Sequence, residues 1–427
     1  MRFLDPQFIL KIILALLTAA VISCAITPLV KMLAKKVGAM DIPKDERRMH
    51  HVPIPRMGGL AIFVGFMVSV LIFAGKYIGT ELRGILLGSV IIVILGIMDD
   101  ILTLKAMPKF IVQILAAVIV TVHGCRIDHF IGFDLPVWLS YVVSVLWIVT
   151  ITNAVNFIDG LDGLAAGVSA ISAGTMLVVA LMLAGNDNLV ATASALLLAA
   201  IVGACIGFIP YNFNPASIFM GDTGSTFLGF MLASISIYGL FKTYAVISFA
   251  VPFLVLGLPI FDICFAVIRR IAHGQSPMHA DRGHVHHRLI DMGFSQKQAV
   301  AIAYLLSALL GLAAVVLTDS GEVQALIFIG AIAVVGTIGV RLIFGHHPKK
   351  DEPKPEGQGA ASEEAQPAET VSDPAAPEEP AAGAPGEPDC DGAPEELSSA
   401  VPESSEELSG PPAAEGEDAT EEPHEEN

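Results

Sequence analysis

Long apolar stretches recur along the first 344 residues and limit the possible folds more than any other sequence feature. A helix needs about 20 apolar residues to cross the hydrocarbon core of a bilayer, and fewer where its ends snorkel. Candidate segments lie near residues 8–30, 58–75, 84–98, 109–122, 137–154, 164–184, 189–209, 223–241, 244–267, 298–317 and 324–344. The whole chain is 54% hydrophobic, which excludes an ordinary soluble domain. The sequence therefore predicts an all-α polytopic membrane protein with about eleven transmembrane helices.

The distribution of Lys and Arg between the predicted spans indicates the orientation of the chain. Cytoplasmic connections are enriched in these residues. The connections after the first, third and ninth spans carry basic clusters, whereas the connections after even-numbered spans carry few basic residues. We therefore expect the N-terminus outside the cell and the C-terminus in the cytoplasm.

The last part of the chain differs from the rest in charge and composition. Residues 349–427 hold 24 of the 42 acidic residues but only 3 of the 24 basic residues, together with 13 of the 26 prolines. A segment rich in Pro, Glu and Ala cannot bury enough apolar surface to offset the entropy lost on ordering. The sequence predicts a transmembrane body over residues 1–348 and a disordered acidic cytoplasmic tail over residues 349–427.

Carboxylates and amides cluster at two of the connections predicted to be cytoplasmic. Asp99 and Asp100 end the third span, and Lys109 follows. Because adjacent carboxylates repel each other, they indicate a bound cation or a proton-transfer role, unless they merely end the helix in water. The second cluster has offsets of three and consists of Asn153, Asn156, Asp159 and Asp162. Its oxygen ligands suit Mg²⁺ or Mn²⁺, and a loop that caps the next helix is the other interpretation.

Further polar residues flank the eighth span and follow the ninth. Asn212 and Phe219 precede Asp222, which is either a helix N-cap or part of a phosphate or metal site. After the ninth span, His and Arg alternate between His279 and Arg288. A His-rich tract suggests a transition metal, but the arginines favour an anion such as phosphate.

The ninth span itself contains Pro252, Pro259 and Asp262. Each proline removes a backbone donor and favours a kink, which either opens a lipid-lined groove or merely bends the helix. Asp262 is a functional candidate because intramembrane charges are costly, and an ion pair with Arg269 or Arg270 is the alternative.

Five segments together give the chain a resemblance to the polyprenyl-phosphate N-acetylhexosamine-1-phosphate transferase superfamily. They are GAMDIPKDERRMHHVPIPRMGG in the first loop, Met98 to Asp100, NAVNFIDGLDG from Asn153, FMGDTGS from Phe219 and DRGHVHHRL from Asp281. The His segment is similar to that of the branch acting on UDP-N-acetylglucosamine. The phospho-N-acetylmuramoyl-pentapeptide transferases instead carry three contiguous His followed by Phe-Glu.

This resemblance implies an eleven-span fold and a reaction at the cytoplasmic membrane face. N-acetylglucosamine-1-phosphate would pass from UDP-N-acetylglucosamine to undecaprenyl phosphate, releasing UMP, as the first membrane step of an envelope glycopolymer such as teichoic acid. The alternatives are a pentapeptide transferase of the same superfamily and, in another class, a cation transporter. No nucleic-acid partner is expected, and the oligomeric state is left open.

The resemblance also assigns roles to individual residues. It implies that Asp222 and Asn156 ligate Mg²⁺, for which Mn²⁺ is an alternative, and that Lys109 contacts the pyrophosphate. Asp99 would be a base for the lipid phosphate or a positioning residue. The predicted catalytic residues are Asp99, Asp100, Lys109, Asp159, Asp162, Arg282, His284, His286 and His287. The predicted substrate-binding residues are Asp41, Asn153, Asn212 and Phe219.

Deletion of residues 355–427 is expected to leave the specific activity in detergent within about twofold, because the tail lacks the apolar content to pack on the membrane body. The measurement compares full-length and truncated protein at equal concentration. A loss of more than about tenfold would show that the tail does more than remain solvated.

Overall fold

Helices make up nearly all of the regular structure in the computed structural model. It describes residues 5–42, 52–130, 133–184, 188–239, 246–272 and 284–320, together with Gly330. The helices are α1 (Pro6–Val37), α2 (Gly59–Phe73), α3 (Thr80–Leu102), α4 (Ala106–Val122), α5 (Val137–Phe157), α6 (Leu164–Leu183), α7 (Leu189–Asn212), α8 (Gly221–Gly239), α9 (Val246–Val255), α10 (Gly257–Ala272), α11 (Val285–Asp291) and α12 (Gln296–Ser320).

A short 3-10 helix spans Gly75–Tyr77, and two short antiparallel strand pairs also lie within these ranges. One pairs β1 (Met40–Asp41) with β2 (Ile54–Pro55), and the other pairs β3 (His129–Phe130) with β4 (Phe133–Asp134). The first hairpin places Asp41 opposite Ile54.

The prediction of an all-α polytopic membrane protein is confirmed. Among the described helices, six are long and apolar enough to cross a membrane: α1, α3, α5, α6, α7 and most of α12. The shorter α2 and α4 are also apolar, and α8 matches the predicted eighth span. The predicted span near 324–344 and the acidic tail lie outside the described residues, so the count of eleven stays a prediction, as does the orientation.

The apolar surface of the bundle faces outward, as expected for a protein in lipid. On α1, Leu10, Leu17 and Val21 are 55%, 51% and 65% exposed. The opposite face of the same helix is buried and is formed largely by small residues, including Ala15 and Ala19. On α1, large apolar side chains therefore face outward, and mainly small ones meet the neighbouring helices.

The predicted ninth span is interrupted at one residue, Leu256, and is helical on both sides, in agreement with the kink expected from its prolines. Helix α9 ends at Val255 and α10 begins at Gly257. Pro259 lacks a backbone N–H and cannot continue the regular hydrogen-bond pattern across this point. Asp262 lies in the second turn of α10.

Close packing of α1 against α7 depends on two glycines one turn apart. A Cβ atom added at Gly203 would lie 2.0 Å from the carbonyl oxygen of Leu16, and one added at Gly207 would lie 2.1 Å from that of Ala20. Small residues at this spacing let two helix backbones approach each other in a membrane.

Helix α8 lies at the centre of the bundle. All of its residues from Thr223 to Tyr238 are buried, and it packs against α2, α3, α5, α6 and α7. The C-terminal ends of α3 and α5 meet its N-terminal end, because Asp100 and Asn156 both contact residues there. The connections that carry the predicted site residues therefore lie together.

Gly207→Ala is expected to lower the free energy of unfolding by about 1–3 kcal/mol, because the added methyl group must push α7 away from the α1 backbone. Gly174→Ala on α6 is the matched control, since the nearest atom to its added Cβ is 4.0 Å away. Thermal unfolding in detergent measures both variants. Equal stability of the two would contradict the proposed helix contact.

Candidate active site

The polar connections surround one cleft with a volume of about 880 Å³. Eight of the predicted site residues line it: Asp41, Asp100, Asp159, Asp162, Asn212, Phe219, Asp222 and His287. Its wall also includes Lys31, Lys35 and Arg56. The cleft thus combines carboxylates and amides with a basic edge.

Lys109 joins two of the predicted carboxylates. Its Nζ donates to Asp99 Oδ2 at 3.0 Å and to Asp222 Oδ2 at 2.9 Å. Asn156 Nδ2 donates to Asp222 Oδ1 at 3.2 Å and to Ser225 Oγ at 2.8 Å. Four residues from α3, α4, α5 and α8 therefore form one hydrogen-bonded cluster, and the lysine offsets part of the repulsion between the two acids.

The adjacent carboxylates of Asp99 and Asp100 have different partners. Asp100 Oδ1 accepts from the backbone N–H of Asp222 at 3.0 Å, and its Oδ2 accepts from the N–H and Oγ1 of Thr223 at 3.1 and 2.6 Å. Asp100 thereby caps the N-terminus of α8, where free amides and the helix dipole favour an anion. Asp99 instead accepts from Lys109 and from the N–H of Leu104.

The donor set around Asp222 fits Mg²⁺. In the part of the chain that the structure describes, no group of three or more His, Cys, Asp or Glu side chains is arranged to hold a metal ion. Mg²⁺ commonly takes only one or two protein carboxylates and completes its shell with water and substrate phosphate. Asp222 can supply such a ligand, with Asp99 nearby, and Asn156 can supply its amide oxygen after rotation of the amide group.

The α5–α6 connection places two more predicted acids beside the cleft. Asp162 Oδ2 accepts from Asn214 Nδ2 at 2.9 Å and from the N–H of Ala216 at 3.0 Å. Asn214 Nδ2 also donates to Gln296 Oε1 at 2.5 Å. These bonds tie the α5–α6 connection to the α7–α8 connection and to the start of α12.

Asp159 lies close to several other carboxylates. Burial, followed by the neighbouring carboxylates of Asp222, Asp100 and Asp162, raises the pKa of Asp159 to about 8.

The two asparagines predicted to bind substrate make contacts within the protein. Asn153 Nδ2 donates to Gln113 Oε1 at 2.6 Å and to the carbonyl of Val149. Asn212 is buried, accepts from the N–H of Gly163 and donates to the carbonyl of Ile218. Asn153 therefore joins α5 to α4, and Asn212 joins the α5–α6 connection to the α7–α8 connection. The contact of both residues with substrate stays a prediction.

The described part of the His segment packs against the α5–α6 connection. His284 and His286 are buried, and a side chain at Gly160 would overlap the His286 ring. Burial, and then the neighbouring His287, lower the pKa of His286 to about 4, so this imidazole is neutral at pH 7. His287 lines the cleft, and Arg282 lies outside the described residues.

Other cleft residues were not singled out by the sequence as site residues. Lys31 and Lys35 belong to α1 and were recognised only as charges that set the orientation. Arg56 donates through Nε to the carbonyl of Asp100 at 3.1 Å and through Nη2 to Thr103 Oγ1 at 3.2 Å. Gln296 carried no sequence signal, because an isolated glutamine at a helix start is common.

The first loop reaches the cleft through backbone contacts. The N–H of Phe219 donates to the carbonyl of Pro55, and the N–H of Gly58 donates to the carbonyl of Phe219. These bonds hold the Phe219 segment against the β1–β2 hairpin, which also carries Asp41. Asp41 and Phe219 therefore share one wall of the cleft.

Comparison with known proteins identifies the family. A model described as glycosyl transferase family 4 matches residues 82–240. The chain is 42% identical over 323 residues to a probable undecaprenyl-phosphate N-acetylglucosaminyl 1-phosphate transferase of Bacillus subtilis, covering 74% of this chain and 87% of that protein. The chain belongs to glycosyl transferase family 4. The resemblance to the polyprenyl-phosphate N-acetylhexosamine-1-phosphate transferase superfamily, and to its N-acetylglucosamine branch, is confirmed.

Two other relatives represent the N-acetylglucosamine branch and the pentapeptide branch of the superfamily, and they differ in how much of this chain they match. A decaprenyl-phosphate N-acetylglucosaminephosphotransferase of Mycobacterium tuberculosis is 35% identical over 352 residues, covering 75% of this chain and 86% of the relative. A phospho-N-acetylmuramoyl-pentapeptide-transferase of Caldicellulosiruptor bescii is 34% identical over 255 residues, covering 55% of this chain and 75% of the relative. Similarity to the N-acetylglucosamine enzymes therefore extends over more of the chain.

Asp100→Ala is expected to lower the thermal unfolding temperature more than Asp99→Ala does. The first change leaves two N–H groups at the buried end of α8 without their acceptor, at about 1–3 kcal/mol. The second leaves Lys109 paired with Asp222 and removes one of two neighbouring carboxylates. Thermal unfolding of both variants in detergent tests this order, and a more stable Asp100→Ala protein would contradict the cap.

Proposed function

We propose that this protein transfers N-acetylglucosamine-1-phosphate from UDP-N-acetylglucosamine to undecaprenyl phosphate and releases UMP. The product would begin a cell-envelope glycopolymer such as teichoic acid. The observation that carries this proposal is the Asp99–Lys109–Asp222 cluster, which lies beside a basic-edged cleft at the ends of apolar helices. A cation between two acids suits a diphosphate substrate and a hard metal ion, and the apolar helices suit a lipid acceptor.

The cleft is proposed to face the cytoplasm, with eleven spans and the N-terminus outside. Lys31 and Lys35 near the end of α1, and Lys109 in α4, all lie at the cleft end of the bundle. Cytoplasmic ends of membrane spans are enriched in such residues. A soluble nucleotide sugar would therefore enter from the cytoplasm, while the lipid phosphate reaches the cleft from the membrane.

The proposed chemistry is a single in-line displacement. A phosphate oxygen of undecaprenyl phosphate forms a bond to the sugar-proximal phosphorus of UDP-N-acetylglucosamine. The bond from that phosphorus to the bridging oxygen breaks, and UMP leaves with the electron pair. The lipid phosphate needs little help to ionise near neutral pH, because the second pKa of a phosphate monoester is about 6.

The protein residues would act mainly by binding and orienting charge. Lys109 lies between Asp99 and Asp222, from where its ammonium group can contact the diphosphate. Asp222, with Asn156 and Asp99, would hold Mg²⁺ or alternatively Mn²⁺, which would stabilise negative charge on the diphosphate. Neutral His286 and the cleft-lining His287 would provide hydrogen bonds to the sugar or its phosphate.

The contacts of the aspartate pair favour direct transfer over an aspartyl-phosphate intermediate. Asp100 is occupied by the amides of α8, and Asp99 already accepts bonds from Lys109 and Leu104. A nucleophilic carboxylate would have to give up these bonds. We therefore propose that Asp99 positions Lys109 rather than serving as a nucleophile or an essential base.

Two alternatives are less well supported. A pentapeptide transferase is disfavoured by the sequence DRGHVHHRL and by the shorter match to that branch. A cation transporter would place its ionisable residues near the bilayer midplane, whereas the acidic cluster described here lies at one end of the bundle.

The proposal is tested with purified full-length protein and undecaprenyl phosphate in detergent. UDP-N-acetylglucosamine, UDP-N-acetylgalactosamine and UDP-N-acetylmuramoyl-pentapeptide are supplied in separate reactions. We expect UMP release and a lipid diphospho-N-acetylglucosamine product only with the first, and only with both the lipid phosphate and Mg²⁺ present. Preferential turnover of the pentapeptide substrate would replace this proposal with the alternative branch.

Asp222→Asn is expected to abolish turnover at every Mg²⁺ concentration, because the site loses a charged ligand where negative charge develops. UMP release is measured across a Mg²⁺ titration, and thermal unfolding confirms that the variant folds. Asp128→Asn, at the opposite end of the bundle, is the control and should retain wild-type turnover. Normal turnover by Asp222→Asn would remove this residue from the metal site.

Asp99→Asn is expected to lose activity that raising the pH does not restore. An essential base contributes about 10²–10⁴-fold, and at high pH the lipid phosphate is fully ionised without it. A pH–rate profile at saturating Mg²⁺ and substrates distinguishes the two roles. Recovery at alkaline pH would support the base and overturn the positioning role.

A further inference from the structure

A buried carboxylate on α10 is bonded to the His segment. Asp262 is 2% exposed and His284 is 7% exposed. Asp262 Oδ2 lies 2.8 Å from His284 Nδ1, and Asp262 Oδ1 accepts from the N–H of Val285 at 2.7 Å. An ionised carboxylate can only accept hydrogen bonds, so the proton of this contact belongs to His284 Nδ1. The pair therefore leaves Nε2 as the imidazole nitrogen available to another partner.

The same carboxylate fixes the start of α11. His284 is the N-cap residue of this seven-residue helix, and its own side chain makes no capping hydrogen bond. Asp262 supplies the missing acceptor from α10 through its bond to the N–H of Val285, the first helical residue. One side chain thus holds both the ring of His284 and the backbone that follows it.

The held ring connects to the cleft through neighbouring rings. The His284 ring is parallel to that of His286, with centroids 5.9 Å apart, and the His286 and His287 centroids are 4.3 Å apart. The His284 ring also contacts the ring of Phe157, the residue after Asn156, with centroids 5.7 Å apart. These ring contacts link His284 both to the cleft-lining His287 and to the end of α5.

We propose that Asp262 is a positioning residue that orients His284 and α11 for the transfer reaction. This inference rests on the proposed function and deepens it. In the reaction Asp262 would act through the ring of His284, fixing the Nδ1–H tautomer so that Nε2 can accept a hydrogen bond from the substrate. Its bond to the N–H of Val285 holds the backbone only, and the amide oxygen of an asparagine at this position can still accept that bond. The ring would be held without rotation during turnover, as in other imidazoles oriented by a carboxylate.

The test is a double-mutant cycle with Asp262→Asn, His284→Ala and the combined variant, assayed for kcat/KM with UDP-N-acetylglucosamine. We expect Asp262→Asn to lose about 10–100-fold, the range for groups that orient an imidazole. Adding Asp262→Asn to His284→Ala should lower kcat/KM by less than about twofold, because His284, through which Asp262 acts, is already absent. Independent losses that multiply in the combined variant would overturn the proposal, as would a normal kcat/KM for Asp262→Asn.

A matched carboxylate–imidazole pair provides the control. Asp134 Oδ1 lies 2.7 Å from His129 Nδ1 in the β3–β4 hairpin, away from the cleft, so Asp134→Asn should retain wild-type kcat/KM. If Asp262→Asn does not fold, Asp262→Glu keeps a carboxylate on a longer arm. We expect that variant to keep a measurable fraction of turnover and to lose it on addition of His284→Ala. Turnover of Asp262→Glu unaffected by His284→Ala would contradict the proposed route.

A second readout does not depend on turnover. ¹⁵N NMR of histidine-labelled full-length protein should show His284 as the Nδ1–H tautomer, assigned by loss of its signals in His284→Ala. In Asp262→Asn that tautomer should no longer dominate. If the wild-type protein fails to release UMP but Asp262→Asn still changes the His284 tautomer, the proposed function is contradicted and the Asp262–His284 pairing is preserved. An unchanged tautomer in Asp262→Asn would overturn the inference even if the enzyme is active.

Discussion

The partly buried N-terminus of α8 sets the central physical constraint on this protein. Helix ends leave amide groups without partners, and such groups are costly where water is scarce. Asp100, at the end of α3, satisfies two of them and adds the negative charge that the helix dipole favours. This bond fixes α3 against the central helix, so that Asp99, Asp222 and Lys109 meet in one place. The arrangement of the cluster thus follows from the requirement to cap one helix.

The adjacent aspartates show how one sequence motif can divide its tasks. Both are acidic and both end the same helix, but one carboxylate faces backbone amides and the other faces an ammonium group. The amide-bound carboxylate is structural by its contacts, and the lysine-bound one lies in the chemical cluster. Lys109 offsets part of the repulsion between the carboxylates of Asp99 and Asp222 when no metal ion is bound. The two carboxylates can still attract a cation.

Much of the fold could be predicted from sequence because lipid imposes simple requirements on a helix. The apolar runs located α1 to α8 and α12, and the alternation of basic residues placed the polar clusters at one end. Two features could not be predicted: the different partners of Asp99 and Asp100, and the pairing of Asp262 with His284 rather than with Arg269 or Arg270. Each depends on contacts between distant segments, which local periodicity does not encode. Gln296 was missed for the same reason, since only its contact with Asn214 distinguishes it.

The distribution of the cluster along the chain has a consequence for biosynthesis. Lys109 and Asp222 are 113 positions apart, and both belong to helices that emerge from the ribosome before α9. The acidic cluster and its cap can therefore assemble while the C-terminal helices are still being made. The His segment, held by α10, can join only afterwards. A nascent chain arrested after α8 would already possess the carboxylate–lysine half of the cleft and would lack the imidazole half.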